Sequence, residues 1–224
     1  MSYEEVIKKL RTMRNKKNIA GMARFGINTE NALGIRMPKL RRLAREIKNS
    51  SVSGQKLSIK LWQSKIHEAR ILSSIIGEAD KVSMKQMNNW VKDFNSWDLC
   101  DQVCMNLFCK TKYAFGRIKI WAKSKKEYTR RAAFALLAAL AVHNKKATDK
   151  EFISFFPLIK KYAADERNFV CKAVNWSLRQ IGKRNQKLCH KALEFAFEIE
   201  KIDSKSAKWI ARNAISELKN KSFN

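Results

Sequence analysis

Apolar residues recur three and four positions apart along nearly the whole chain, the spacing that lines one face of an α-helix, and no stretch shows the convincing alternation of a strand. The pattern predicts helices over 3–14, 18–25, 38–48, 55–63, 65–77, 84–93, 97–108, 111–123, 126–143, 149–162, 167–182, 185–198 and 204–219, separated by short polar turns. Only two Pro and seven Gly interrupt the 224 residues, in keeping with helix almost throughout. Helices of this length with brief connections pack as neighbouring pairs, and a long succession of pairs without a strand is expected to form an α-solenoid. A faint internal echo supports a repeat. A basic residue followed by small apolar ones appears in Glu68-Ala69-Arg70-Ile71-Leu72, in Arg130-Arg131-Ala132-Ala133-Phe134 and in Lys172-Ala173-Val174.

Charge narrows the partner. Lys and Arg number 47 against 20 Asp and Glu, a net charge of +27, which would draw the chain to a polyanion. The basic residues, among them Lys8-Lys9, Lys16-Lys17, Arg41-Arg42 and Lys183-Arg184, are interleaved with apolar ones, so they belong to folded surface rather than to a disordered tail. Nucleic acid is the leading partner. With 45% hydrophobic residues and six Trp there is ample material for a core, and the length permits one elongated domain or two small ones; a single domain over 1–224 is expected.

No run of about 18 apolar residues and no signal-peptide-like start is found, so no membrane partner and a cytoplasmic, DNA-associated location are expected. Cys100, Cys104, Cys109, Cys171 and Cys189 form no CxxC pair, and His67, His143 and His190 are scattered, so neither a metal site nor a cofactor is expected. Cys100 and Cys104, one turn apart, read as core residues.

Candidate chemistry begins at Ser96-Trp97-Asp98-Leu99-Cys100-Asp101. Ser96 is placed to cap a helix and Asp98 to lie in its first turn, where negative charge suits the dipole. Trp97 and Asp101 share a face, and Asp101 is either an ordinary helix acid or a reactive carboxylate. In the helix over 126–143, paired arginines stand near the N-terminal end, where the dipole disfavours cations. Arg130 is expected to extend into solvent, still within reach of DNA, whereas Arg131, beside core-facing positions, is expected to meet a phosphate. The helix over 167–182 presents Lys172, Trp176, Arg179 and Lys183 at i, i+4, i+7 and i+11. An indole flanked by cations suits DNA better than a dry interior, with the cations on phosphates and the ring against sugar or base.

These segments, in order, resemble motif regions of the AlkD family of DNA alkylation-repair glycosylases. Ser96 to Asp101, Arg131-Ala132-Ala133 and Lys172-Ala173-Val174-Asn175-Trp176-Ser177-Leu178-Arg179 carry the likeness. Leu33-Gly34-Ile35-Arg36-Met37-Pro38-Lys39-Leu40-Arg41-Arg42 resembles the family's N-terminal element, with Pro38 expected at the first helical position. The resemblance implies a right-handed superhelix of HEAT-like helix pairs with a basic concave groove for duplex DNA; a monomer is expected, because a DNA-wrapping solenoid leaves no obvious self-complementary apolar face. The resemblance implies hydrolysis of the N-glycosidic bond of cationic N3- and N7-alkylated purines. It further implies Trp97, Asp101 and Trp176 as the catalytic trio, Arg131 as a DNA-binding arginine, and Lys172 and Arg179 as flanking cations; Arg41, Arg130 and Lys183 join them as candidate DNA contacts.

The residue types suit that chemistry. An alkylated purine is already cationic and leaves as a neutral base, so the barrier lies in the sugar cation, which a carboxylate such as Asp101 would stabilise while orienting water. Trp97 and Trp176 would hold the sugar and backbone against electron-rich faces. One departure stands out: Ser96 occupies the position where the family's better-known active members carry a second Trp. A HEAT-like protein that binds damaged or branched DNA without cleavage is the alternative, and a scaffold for acidic proteins a third.

Overall fold

A computed structural model describes residues 1–50 and 54–223, and it divides into two compact units, Met1–Thr111 and Lys112–Asn224. The first holds α1 (Tyr3–Thr12), α2 (Lys16–Arg24), α3 (Met37–Lys48), α4 (Gly54–Gln63), α5 (His67–Ile76), α6 (Met84–Lys92) and α7 (Trp97–Asn106), with short 3₁₀ turns at Ala79–Lys81 and Phe108–Lys110. The second holds α8 (Ala114–Ala122), α9 (Glu127–His143), α10 (Asp149–Ile153), α11 (Phe156–Tyr162), α12 (Asn168–Gly182), α13 (Gln186–Glu200) and α14 (Lys205–Lys219). The described residues contain no strand, and none of their helices is long and apolar enough to cross a membrane.

The helical periodicity found these elements with one exception. The single helix expected over 149–162 is two, α10 and α11, with Pro157 in the first turn of α11. A continuous helix would ask Pro157 for an N–H it lacks and drive its ring into the carbonyl of Ile153. Pro38 is the second residue of α3 rather than its first.

In the first unit α4 packs on α5, and α5 in turn meets α3 and α7. Trp62 and Trp90 stack with centroids 4.0 Å apart, and Trp62 Nε1 donates to Asp93 at 2.8 Å. The loop entering α3 is held by Glu68, a buried carboxylate that accepts from the backbone N–H groups of Leu33, Gly34 and Ile35 at 2.7, 2.6 and 3.1 Å. Gly34 has φ +73°, and a Cβ there would lie 2.3 Å from the Asn15 carbonyl oxygen, so only glycine fits this turn.

In the second unit α9 is the centre: every residue from Ala132 to Leu140 is buried, as a helix apolar on all sides must be. It packs on α8 and α12, while α13 pairs with α14 and both meet α12. Its alanines present no bulk, which lets these neighbours approach closely.

The echo of basic residues marks a recurring structural device. Arg70 Nε donates to the Trp62 carbonyl near the end of α4, its guanidinium lies over the Trp62 ring at 5.1 Å, and it reaches Asp93 at 3.4 Å. Arg130 repeats this. Its Nε donates to the Ala122 carbonyl at the end of α8, it lies over Tyr162 at 4.7 Å, and it pairs with Asp165 at 2.6 Å. In both cases an arginine supplies a donor to a helix-terminal carbonyl that has no partner within its own helix. Lys172 does not take this place and is exposed.

Candidate functional site

Within the first unit, the start of α7 is the candidate centre. Ser96 occupies the N-cap position, yet its hydroxyl donates to Asp98 instead of accepting from the helix backbone. Asp98 also receives His67 Nε2 at 2.8 Å, and both Ser96 and His67 are buried. Burial opposes charge on His67, but the hydrogen bond and negative charge of Asp98 outweigh it and hold the imidazole above its ordinary pKa. Burial likewise opposes charge on Asp98, and His67 and Ser96 overcome it, leaving that carboxyl below its ordinary range. Asp98 therefore does more than complement the helix dipole: it ties the first turn of α7 to the first turn of α5.

That anchor sets the orientation of its neighbours. Leu99, Cys100, Val103 and Cys104 form the buried face of α7, which leaves Trp97 and Asp101 together on the half-buried face one turn apart, as the sequence spacing predicts. Trp97 Nε1 donates to the Phe25 carbonyl at 2.9 Å, fixing the plane of the indole. Arg41 is exposed on α3.

Within the second unit, the paired arginines behave differently from each other. Arg130 does not extend into solvent; the bonds to Ala122 and Asp165 hold it, because a carbonyl and a carboxylate within reach of the guanidinium outcompete water. Asp165 also binds Arg167, and although burial favours its neutral form, these arginines hold its pKa down to about 2. Arg131 is buried, with Nη1 donating to the Phe169 carbonyl in the first turn of α12 at 2.5 Å.

On α12, Lys172 is exposed and Trp176 half-buried. With its amide oriented to satisfy its neighbours, Gln180 accepts from Trp176 Nε1 at 3.2 Å and from Lys183 Nζ at 3.1 Å. Arg179 and Lys183 both pair with Glu217 on α14. The expected stripe is thus present, but two of its cations already share an acid. Glu217 was not anticipated, and nothing in local spacing signals a partner 34 and 38 residues away.

No group of three His, Cys, Asp or Glu able to hold a metal exists among the described residues, and all five cysteines are free and buried. Of the other tryptophans, Trp62, Trp90 and Trp121 are buried and Trp209 is 45% exposed. The periodicity of α14 carried that signal: Ala207, Ile210, Ala211, Ala214 and Leu218 make its buried face, and Trp209 is off it.

Comparison with known proteins adds three findings. No curated protein matches the chain. A solved structure described as belonging to "a new family of proteins related to the HEAT-like repeat DNA glycosylases with affinity for branched DNA structures" is similar at 16% identity, over 97% of this chain and 95% of that one, with a TM-score of 0.78. The likeness establishes the all-helical HEAT-like repeat fold. The sequence profile of DNA alkylation repair enzymes matches residues 6–218, nearly the full length, and the chain therefore belongs to the DNA alkylation repair enzyme family.

Proposed function

We propose that the protein is a DNA glycosylase that releases cationic N3- and N7-alkylpurines from duplex DNA, acting as a monomer without a cofactor. The observation that carries the reading is the pairing of Trp97 and Asp101 on the half-buried face of α7, in a chain that belongs to this family. In the reaction the bond from C1′ to the purine nitrogen breaks with its electron pair going to the base, which leaves neutral. Water adds to C1′, and its proton passes to Asp101 or to solvent. Asp101 stabilises the positive charge that develops on the sugar and orients the water, an electrostatic role that needs no unusual pKa. Trp97 offers a ring face to the sugar, and Trp176 serves as a second aromatic contact to the DNA.

Phosphates are assigned to Arg131, Lys172 and Arg41. The bond from Arg131 to the Phe169 carbonyl orients its guanidinium. Arg179 and Lys183 would exchange Glu217 for phosphate on binding, while Arg130 supports the site through the packing of α8, α9 and α11 and not by touching DNA.

Single-turnover release of 7-methylguanine and 3-methyladenine from methylated duplex DNA tests the reading. The wild type releases base and Asp101→Asn loses release by at least about a hundredfold, the order expected for removing one preorganised electrostatic group. Duplex affinity stays within about twofold, because the phosphate contacts survive. Equal release by both proteins would remove Asp101 from its role. A second reading, recognition of branched DNA without cleavage, draws support from the description of the similar solved protein and from Ser96, buried here at the position where the resemblance leads one to look for Trp. Tight DNA binding with no release by the wild type would select it.

A further inference from the structure

The exposed face of α14 serves no core. Lys205, Lys208, Trp209 and Arg212 stand at i, i+3, i+4 and i+7, so one helix face carries three cations around an indole that is 45% exposed. Burying an indole is among the larger apolar gains available to a side chain, so one left open in a cationic face calls for a ligand that is both flat and anionic. Trp209 forms a wall common to two depressions. One is an open cleft of about 830 Å³ bounded by Asn168, Cys171 and Lys172 near the start of α12 and by Lys205, Lys208 and Trp209. The other runs along α14 between Trp209, Arg212 and Asn213.

The charges are arranged to be available. Lys172 and Lys205 form no ion pair among the described residues. Lys208 pairs with Asp203 at 2.9 Å and Arg212 with Glu200 at 3.3 Å, but these are exposed pairs of the kind that contribute little and exchange readily. Glu166 is the other acid in the larger cleft. The cations thus outnumber the acids on both sides of the ring.

We propose that this cleft is a second nucleic-acid subsite, in which Trp209 stacks on an unpaired base while Lys172, Lys205 and Lys208 bind the flanking phosphates. A stacked duplex offers no open ring face to Trp209, so the ligand is a single-stranded nucleotide at an overhang or junction. Lys172, exposed at the mouth of the cleft and already assigned a phosphate, would serve both contacts. The inference rests on the proposed reading only in requiring that the protein bind DNA; it does not require base release.

The test compares affinity for a blunt duplex with affinity for the same duplex carrying a five-nucleotide single-stranded overhang. The wild type favours the overhang DNA, Trp209→Ala loses that preference by about tenfold, as expected for one stacked base, and Trp209→Tyr restores it. Blunt-duplex affinity and thermal stability are unchanged in both variants. Lys205→Glu, a change at an exposed position, also weakens overhang binding and keeps the question answerable if a Trp209 variant folds poorly. No overhang preference in the wild type, or equal losses on both DNAs, would overturn the proposal while leaving the glycosylase reading intact. Self-association abolished by Trp209→Ala would assign the face to a second copy and overturn it as well. Failure of the wild type to bind blunt duplex at low salt would instead overturn the proposed function.

Discussion

Asp98 shows how a single acid can fix the geometry at the start of a helix. Its partners are Ser96 two residues before it and His67 on another helix, and Trp97 and Asp101 flank it on the same helix. The folded pKa of Asp98 is lowered, so its contribution to stability is present above its ordinary value of 3.8 and lost as pH falls through the folded one. That of His67 is raised, so its contribution is full below 6.5 and lost as pH rises through the folded value. Resistance to urea should therefore be greatest between about pH 4 and 6.5 for the part that this pair supplies. Asp98→Asn is expected to remove the dependence, lower the imidazole pKa read by NMR, and cost about 3 kcal/mol, the range for uncoupling a largely buried pair. An unchanged His67 titration in that variant would show that the imidazole does not depend on Asp98. Of these residues the sequence made Ser96, Trp97 and Asp101 legible through spacing alone. The link to His67 was not, because it joins two helices 31 residues apart and His67 has no distinctive neighbours.

At the scale of helices, the arginines of α5 and α9 explain both a success and an error of sequence reading. The echo around Arg70 and Arg130 was visible as a repeat of residue types, but its meaning was not, since a basic residue near a helix start looks the same whether it faces a phosphate or the end of the preceding helix. The structure separates Arg130 from Arg131 by partners that no local pattern encodes: Ala122 and Asp165 for one, Phe169 for the other. Arg130→Lys is expected to lower stability by about 1–2 kcal/mol, because an ammonium cannot span a carbonyl, a carboxylate and a ring at once. Its duplex affinity per folded molecule should match the wild type. A tenfold loss of affinity with unchanged stability would return Arg130 to the DNA contacts. Asp165→Ala leaves Arg130 and Arg167 without their shared acid, and should destabilise more than Arg130→Lys in the same urea titration. Helix existence was readable nearly throughout, but the break between α10 and α11 was missed: Pro157 marks it, and the apolar period on either side masked it.

For the molecule as a whole, +27 is the property that dominates encounter with DNA. The logarithm of duplex affinity should fall steeply against the logarithm of salt concentration, with a slope of about −0.9 for each phosphate neutralised. Lys172→Ala should reduce that slope by about 1 without altering thermal stability, since Lys172 is exposed. Arg179→Ala should change the slope less, because the wild-type cation must first leave Glu217. Equal slope changes for the two would show that Glu217 does not compete. The partner class was legible from composition, while the division of cations between structural and available ones was not: it depends on which acids the fold delivers to them, Asp165 to Arg130 and Glu217 to Arg179 and Lys183.

The buried cysteines have a bearing on survival under the conditions that make such a protein useful. Burial pushes Cys109 and Cys171 up to about 11, and it raises Cys104 and Cys189 as well. At neutral pH these sulfurs stay protonated, whereas alkylating agents attack thiolates. The electrophiles that methylate purines thus meet these four sulfurs as thiols rather than as thiolates, in a member of the DNA alkylation repair family.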